Sequence, residues 1–110
     1  MSKVEFDTKA AVGKRLDMLK LAQFALDQQV IADSNYYCPY REGYLQKSAV
    51  INSRPGTGLV VWATPYASRL YYHPEYHFSK DKNPNARGKW FEWAKSVNLE
   101  KWRKIAEGKE

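Results

Sequence analysis

The chain has 110 residues, enough for one ordinary domain (1–110) to bury its own core. Its 44% hydrophobic and 27% charged content is that of a soluble globular protein. No apolar run approaches the ~20 residues that cross a bilayer, so no membrane partner is expected. Eighteen basic residues against 12 acidic ones give a net charge of +6, which suits a polyanionic partner. The charges are nevertheless spread along the chain and form no basic block. Cys38 is the single cysteine, which excludes an intrachain disulfide and a Cys-rich zinc cage; a reduced, half-buried thiol is expected. The opening Met1-Ser2-Lys3-Val4-Glu5-Phe6-Asp7 lacks the apolar core of a signal peptide, so synthesis and residence in the cytoplasm are expected.

From Asp7 or Thr8 to about Ala32 the spacing predicts one long amphipathic helix. Val12, Leu16, Leu19, Leu26 and Val30 form its stripe, with Gln23 at the missing step. Met18, Leu21, Ala22, Phe24, Ala25 and Ile31 broaden that stripe and predict contact on more than one side. Asp33-Ser34-Asn35 ends the helix. Tyr36 to Tyr40 reads as extended, because Cys38 precedes Pro39. Gly43 to Asn52 alternates, with Leu45, Ala49 and Ile51 opposite Tyr44, Gln46 and Ser48, and predicts a half-buried strand. Residues 53–58, Ser-Arg-Pro-Gly-Thr-Gly, are a turn by composition, and Leu59 to Thr64 returns as a second strand. An antiparallel central hairpin follows, with Gly43 and Gly58 as its backbone requirements.

Beyond Pro65, Tyr66 to Tyr72 fits either a short helix or a third strand. His73 to Lys89 is polar and carries Pro74 and Asn83-Pro84-Asn85; at this length it reads as a projecting loop. Trp90, Trp93, Ala94 and Val97 make the next helical stripe, and Trp102 and Ile105 fall out of phase with it. A break near Asn98 and a short final helix from Leu99 to about Glu107, closed by Gly108, would reconcile the two. The expected fold is α+β: a long N-terminal helix and C-terminal helices packed on a small antiparallel sheet with a central hairpin.

Catalytic signals are thin. His73 and His77 are four apart with Glu75 between them, but Pro74 forbids presenting the pair on one helical face. Cys38 with either histidine lacks any nucleophile signature, and Gly56-Thr57-Gly58 lacks the helix and lysine of a phosphate loop. No catalytic residue, metal, cofactor or small-molecule substrate is expected. The 8 Tyr and 4 Trp carry more information, because such side chains serve both cores and interfaces. Stacking on single-stranded bases would need cations interleaved on the strands, and Leu59 to Thr64 has none.

From Tyr36 onward the chain resembles the minor capsid proteins of tailed phages and prophages, related to the neck and tail-completion proteins. The matching pieces are Pro39 with Gly43-Tyr44-Leu45-Gln46-Lys47-Ser48, Trp62-Ala63-Thr64-Pro65-Tyr66-Ala67, Leu70-Tyr71-Tyr72, and residues 85–94, which include Trp90 and Trp93. They span about two-thirds of the chain. Where the neck family has Thr-Gly-x-Leu, Glu42 stands in place of the Thr. The resemblance implies a structural virion protein, made in the host cytoplasm, that works as a ring at the head-to-tail junction. Its partners would be neighbouring copies and adjacent connector or tail proteins, with passive contact to DNA in the channel. Within that picture Tyr71, Tyr72, His73, Tyr76, Lys80, Lys82, Arg87 and Lys89 are the expected contact residues. Deleting residues 78–86 is then expected to spare the fold and block joining. Trp62 and Trp90 are expected core anchors. The competing reading is a small basic nucleic-acid-binding accessory protein.

Overall fold

The computed structural model describes residues 2–13, 19–40 and 42–108. The chain opens with a strand, β1 (Ser2–Asp7), whose Val4 and Phe6 turn inward while Lys3 and Glu5 face water. Asp7 then caps the short helix α1 (Thr8–Val12), its carboxylate accepting from the Lys9 and Ala10 N–H groups. Gly13, at φ +76°, ends that helix in a left-handed conformation open to glycine. The expected long N-terminal helix is therefore corrected: the first helix is short, and the next helix among the described residues is α2 (Lys20–Asn35). Leu16 and Met18 of the expected stripe lie outside the described residues, and Leu19 and Leu21 are exposed.

The second correction is larger. Residues expected as the first hairpin strand form helix α3 (Tyr44–Asn52), entered through Gly43 at φ +85°. Leu45, Ser48 and Ala49 are buried, at the i, i+3, i+4 spacing of a helical face. Leu45, Gln46, Lys47 and Ala49 are strong helix formers, so local propensity and burial agree here against the short apparent alternation. Residues 53–58 do turn, and β2 (Leu59–Thr64) follows with the expected bounds. Its antiparallel partner is β1, in the register Val4↔Trp62 and Phe6↔Val60, so no central hairpin exists.

Helix α3 covers the other edge of β2. Ser53 Oγ accepts from the Val61 N–H at 2.8 Å and Ser48 Oγ from the Ala63 N–H at 3.1 Å. Two hydroxyls thus satisfy donors that an unpaired strand would expose.

Helix α4 (Ala67–Tyr71) settles the open segment after Pro65 as helical. The last helix, α5 (Trp90–Ala106), is continuous, which removes the expected break at Asn98; the Asn98 amide instead donates to the Ala94 carbonyl at 2.9 Å. The buried residues are Trp90, Phe91, Ala94, Trp102, Ile105 and Ala106. Once Phe91 replaces Trp93 in the stripe, all of them share one broad face. Trp93 and Val97 are turned outward.

The core is an aromatic stack with helices around it. Phe6 lies parallel to Phe91 at 4.1 Å, Tyr71 meets Trp90 edge-on at 4.7 Å, and Trp62 meets Trp90 edge-on at 6.1 Å. Trp62 and Trp90 are fully buried. Trp62 Nε1 donates to Asn35 Oδ1 at 2.9 Å, and Trp102 Nε1 donates to Asp33 Oδ2 at 2.7 Å, so α2 satisfies two indoles at once.

A polar node sits inside this core. The fully buried Asp27 carboxylate accepts from the Thr8 hydroxyl, the Gln23 amide (2.7 Å) and the N–H groups of Gly56 (2.8 Å) and Gly58 (2.9 Å). Gln23, the polar step in an apolar stripe, is thereby explained. The node joins the start of α1, the middle of α2 and the turn before β2. Each donor offsets part of the cost of burying the charge.

Candidate assembly surface

Residues 73–89 contain no helix or strand. Their two ends meet: Gly88 is buried against Pro74, where a Cβ would lie 2.9 Å from the Pro74 Cα and 3.1 Å from the Leu70 carbonyl oxygen. Segments of this length with touching ends form compact Ω-type loops. The expectation of a projecting loop needs correction for its second half. Asn83 Nδ2 donates to the Tyr36 carbonyl at 3.0 Å and to the Cys38 carbonyl at 2.8 Å. The Arg87 N–H donates to the Tyr37 carbonyl at 2.9 Å, and the Lys89 N–H to the Tyr71 carbonyl at 3.0 Å. Ala86 is buried. Removing residues 78–86 would therefore strip partners from the end of α2, and the fold would not be spared.

These contacts sort the expected interface residues. Tyr71 is buried in the aromatic stack, and Lys80 Nζ is spent on the Ala86 carbonyl at 2.6 Å. The Arg87 guanidinium lies over Tyr37 at 5.2 Å and Trp93 at 4.5 Å, which holds it in a cation–π sandwich. Lys82 and Lys89 are exposed, and Lys89 adopts φ +52° at the start of α5. Tyr72, His73 and Tyr76 remain together outside: His73 stacks on Tyr76 at 4.9 Å and its Nδ1 pairs with Glu75 Oε2 at 2.9 Å. That hydrogen bond holds the Glu75 carboxyl below its ordinary value.

The residues that carry the resemblance converge elsewhere. Pro39, Gly43, Leu45 and Tyr66 line an open cleft of ≈ 370 Å³, joined by Leu70 and Phe78 and with Arg69, Glu42 and His77 at its border. Ala67 is buried beneath, Pro65 is exposed, and Ser48 caps the sheet edge. Gly43 permits this wall: a Cβ there would meet the Tyr40 hydroxyl oxygen at 3.0 Å and its ring at 3.1 Å, in addition to its positive φ. Sequence reasoning missed Asn83, Asn35 and Gln46. Gln46 Nε2 donates to the Asn35 and Cys38 carbonyls, at 3.1 and 2.9 Å. Each of the three sits beside a helix end or a proline, where free backbone carbonyls need donors; that was their available signal.

Cys38 is fully buried, and burial pushes its thiol well above the usual range. A thiolate nucleophile is disfavoured there. Among the described residues no group of three His, Cys, Asp or Glu side chains is placed to hold a metal ion, and no helix is long and apolar enough to cross a membrane.

The architecture is thus that of a small α+β protein whose surface offers aromatic and apolar contact sites. The sequence model of the minor capsid protein family matches residues 2–109, and the chain belongs to that family. It is a structural protein of the virion. No curated protein and no solved structure matches the chain.

Proposed function

We propose that this minor capsid protein works as a ring at the phage head-to-tail junction, where it joins the tail to the DNA-filled head. The observation that carries the reading is the exposed apolar surface of a protein that belongs to a virion family. Leu21 is 84% and Ile51 77% exposed, on helices whose other faces already fill the core. A helix apolar on both sides is normally buried on both, and a virion component gains its second covering from neighbours. Adjacent connector or tail proteins would dock on the exposed Tyr72, His73 and Tyr76. DNA in the channel would meet the net positive charge without being gripped.

A phage carrying a nonsense mutation in this gene tests the proposal. Full heads and separate, complete tails should accumulate, and adding the purified protein should restore joined particles. Joined infectious virions made without the protein would overturn it. The competing nucleic-acid reading predicts binding to DNA that weakens steeply as salt rises.

A further inference from the structure

The sheet has two strands and therefore two edges, and they are finished differently. On β2 the Val61 and Ala63 N–H groups point away from β1, because they donate to Ser53 and Ser48. Hydrogen bonding alternates along an antiparallel pair, so Glu5 and Lys3, which lie opposite Val61 and Ala63, turn their own N–H and C=O groups outward too. Val4 and Phe6 bond inward, toward Trp62 and Val60. Among the described residues nothing bonds to the outward backbone groups of Lys3 and Glu5. Helix α4 is tied to the Ser2 end of the strand, where the Ser68 N–H donates to the Ser2 hydroxyl at 3.1 Å. One edge is thus closed by side chains and the other is open.

The open edge is complementary to itself. Lys3 and Glu5 are exposed on the face away from the core, and within one chain their side chains pair at 3.1 Å. A second β1 added antiparallel must set outward-bonding residues opposite one another. With Lys3 of one copy opposite Glu5 of the other, the two-fold relation produces that pair twice, and Val4 falls opposite Val4 on the inner face. Sliding the strands by two residues brings Lys3 opposite Lys3 in one direction and Glu5 opposite Glu5 in the other. The second of these shifts would also set Lys3 against Asp7, whose carboxylate is already spent on capping α1. Opposite charges directly across a strand pair favour it and like charges oppose it, so the charges select one register.

The geometry points to pairing of two copies of this chain through β1 in that register, which joins their sheets in the order β2–β1–β1–β2. Each Lys3–Glu5 pair then exchanges both of its backbone N–H···O bonds, and the side chains above them meet as opposite charges. A two-stranded sheet is below the size that ordinarily stands by itself, and the pairing doubles it. Strand addition stops there, because each outer side of the joined sheet is the β2 edge that Ser48 and Ser53 occupy. Six-residue strands bury less than a standard interface, so the contact is weak and reversible. It uses the same surface on both copies and is complete at two, so its repetition closes no ring and it stands independently of the ring reading above.

The test uses the purified full chain in solution. Sedimentation equilibrium at loadings up to about 1 mM should show dimers in exchange with monomers. Hydrogen exchange followed over the same range should slow at the Lys3 and Glu5 amides as concentration rises, while the Val4 and Phe6 amides, already bonded to β2, change little. Lys3→Glu and Glu5→Lys each put like charges across the joint and should each weaken pairing roughly tenfold. An equimolar mixture of the two variants puts opposite charges at both positions and should recover the wild-type association. A chain that stays monomeric at the highest loading would overturn the contact. So would dimers whose Lys3 and Glu5 amides exchange unchanged, or a mixture that associates no better than its components. Unchanged thermal unfolding of the two variants separates lost pairing from misfolding, and the exchange measurement on the wild type decides the matter if a variant is unstable. Neither outcome bears on the ring, which the nonsense-mutant phage tests separately.

Discussion

The two halves of the 73–89 segment look alike in sequence, both polar, aromatic-flanked and punctuated by proline, yet they are held differently. His73 to Ser79 has chiefly local contacts, such as the His73–Glu75 pair and the His73–Tyr76 stack. Lys80 to Lys89 is fastened to distant backbone by Asn83, Arg87 and Lys89. The difference teaches that polarity in a long loop does not measure its freedom. What matters is whether its donors find backbone carbonyls with capacity to accept, and the Tyr36 to Cys38 exit from α2 presents three, the Cys38 oxygen being shared with Gln46.

The largest test of this contrast is Gly88→Ala, at the point where the loop ends cross. The added Cβ would meet backbone on two sides, which cannot swing away, and urea unfolding should show a loss of about 3 kcal/mol. Asn83→Ala should follow with about 2 kcal/mol, because it removes two donors in one step. Arg87→Ala should cost about 1 kcal/mol through the lost stack on Tyr37 and Trp93, and Arg87→Lys should recover only part of it. In the other half, His73→Ala should stay within about 0.5 kcal/mol at neutral pH.

The smallest effect is in acid. The folded-state pKa of Glu75 lies below its ordinary 4.5, so the His73–Glu75 contribution is present above that pH and fades as pH falls through the lowered value. Thermal unfolding of the wild type and His73→Ala should accordingly converge toward strongly acid pH. A gap that widens in acid would contradict this sign.

Much of the fold class could be read in the sequence, and the errors have identifiable causes. β2 and the turn before it were legible because Val60, Val61 and Trp62 follow a Pro-Gly pair. Alternation across Lys3, Val4, Glu5 and Phe6 announces β1 equally well, but the sequence reading weighs that segment only against a signal peptide, which it does not resemble, and not as a strand. α3 was misread because Leu45, Ala49 and Ile51 fit a period of two while Leu45, Ser48 and Ala49 fit a helix, an ambiguity usual for short amphipathic runs. The phase of α5 was lost by taking Trp93 for Phe91 as a core residue. Gln23 seemed to be a flaw in a stripe, because the carboxylate it serves lies one turn away and its other partners come from distant segments. Of the expected contact surface, Tyr72, His73 and Tyr76 are outside, whereas Tyr71 and Arg87 are occupied inside the molecule by partners that composition does not reveal.

The serine hydroxyls in and just after α3 have a consequence for assembly. With Ser48 and Ser53 occupying two N–H groups on the outer side of β2, an incoming strand finds those ladder positions already taken. An exposed strand edge invites open-ended, fibril-like growth. Closing that edge with side chains removes one route of strand-to-strand association.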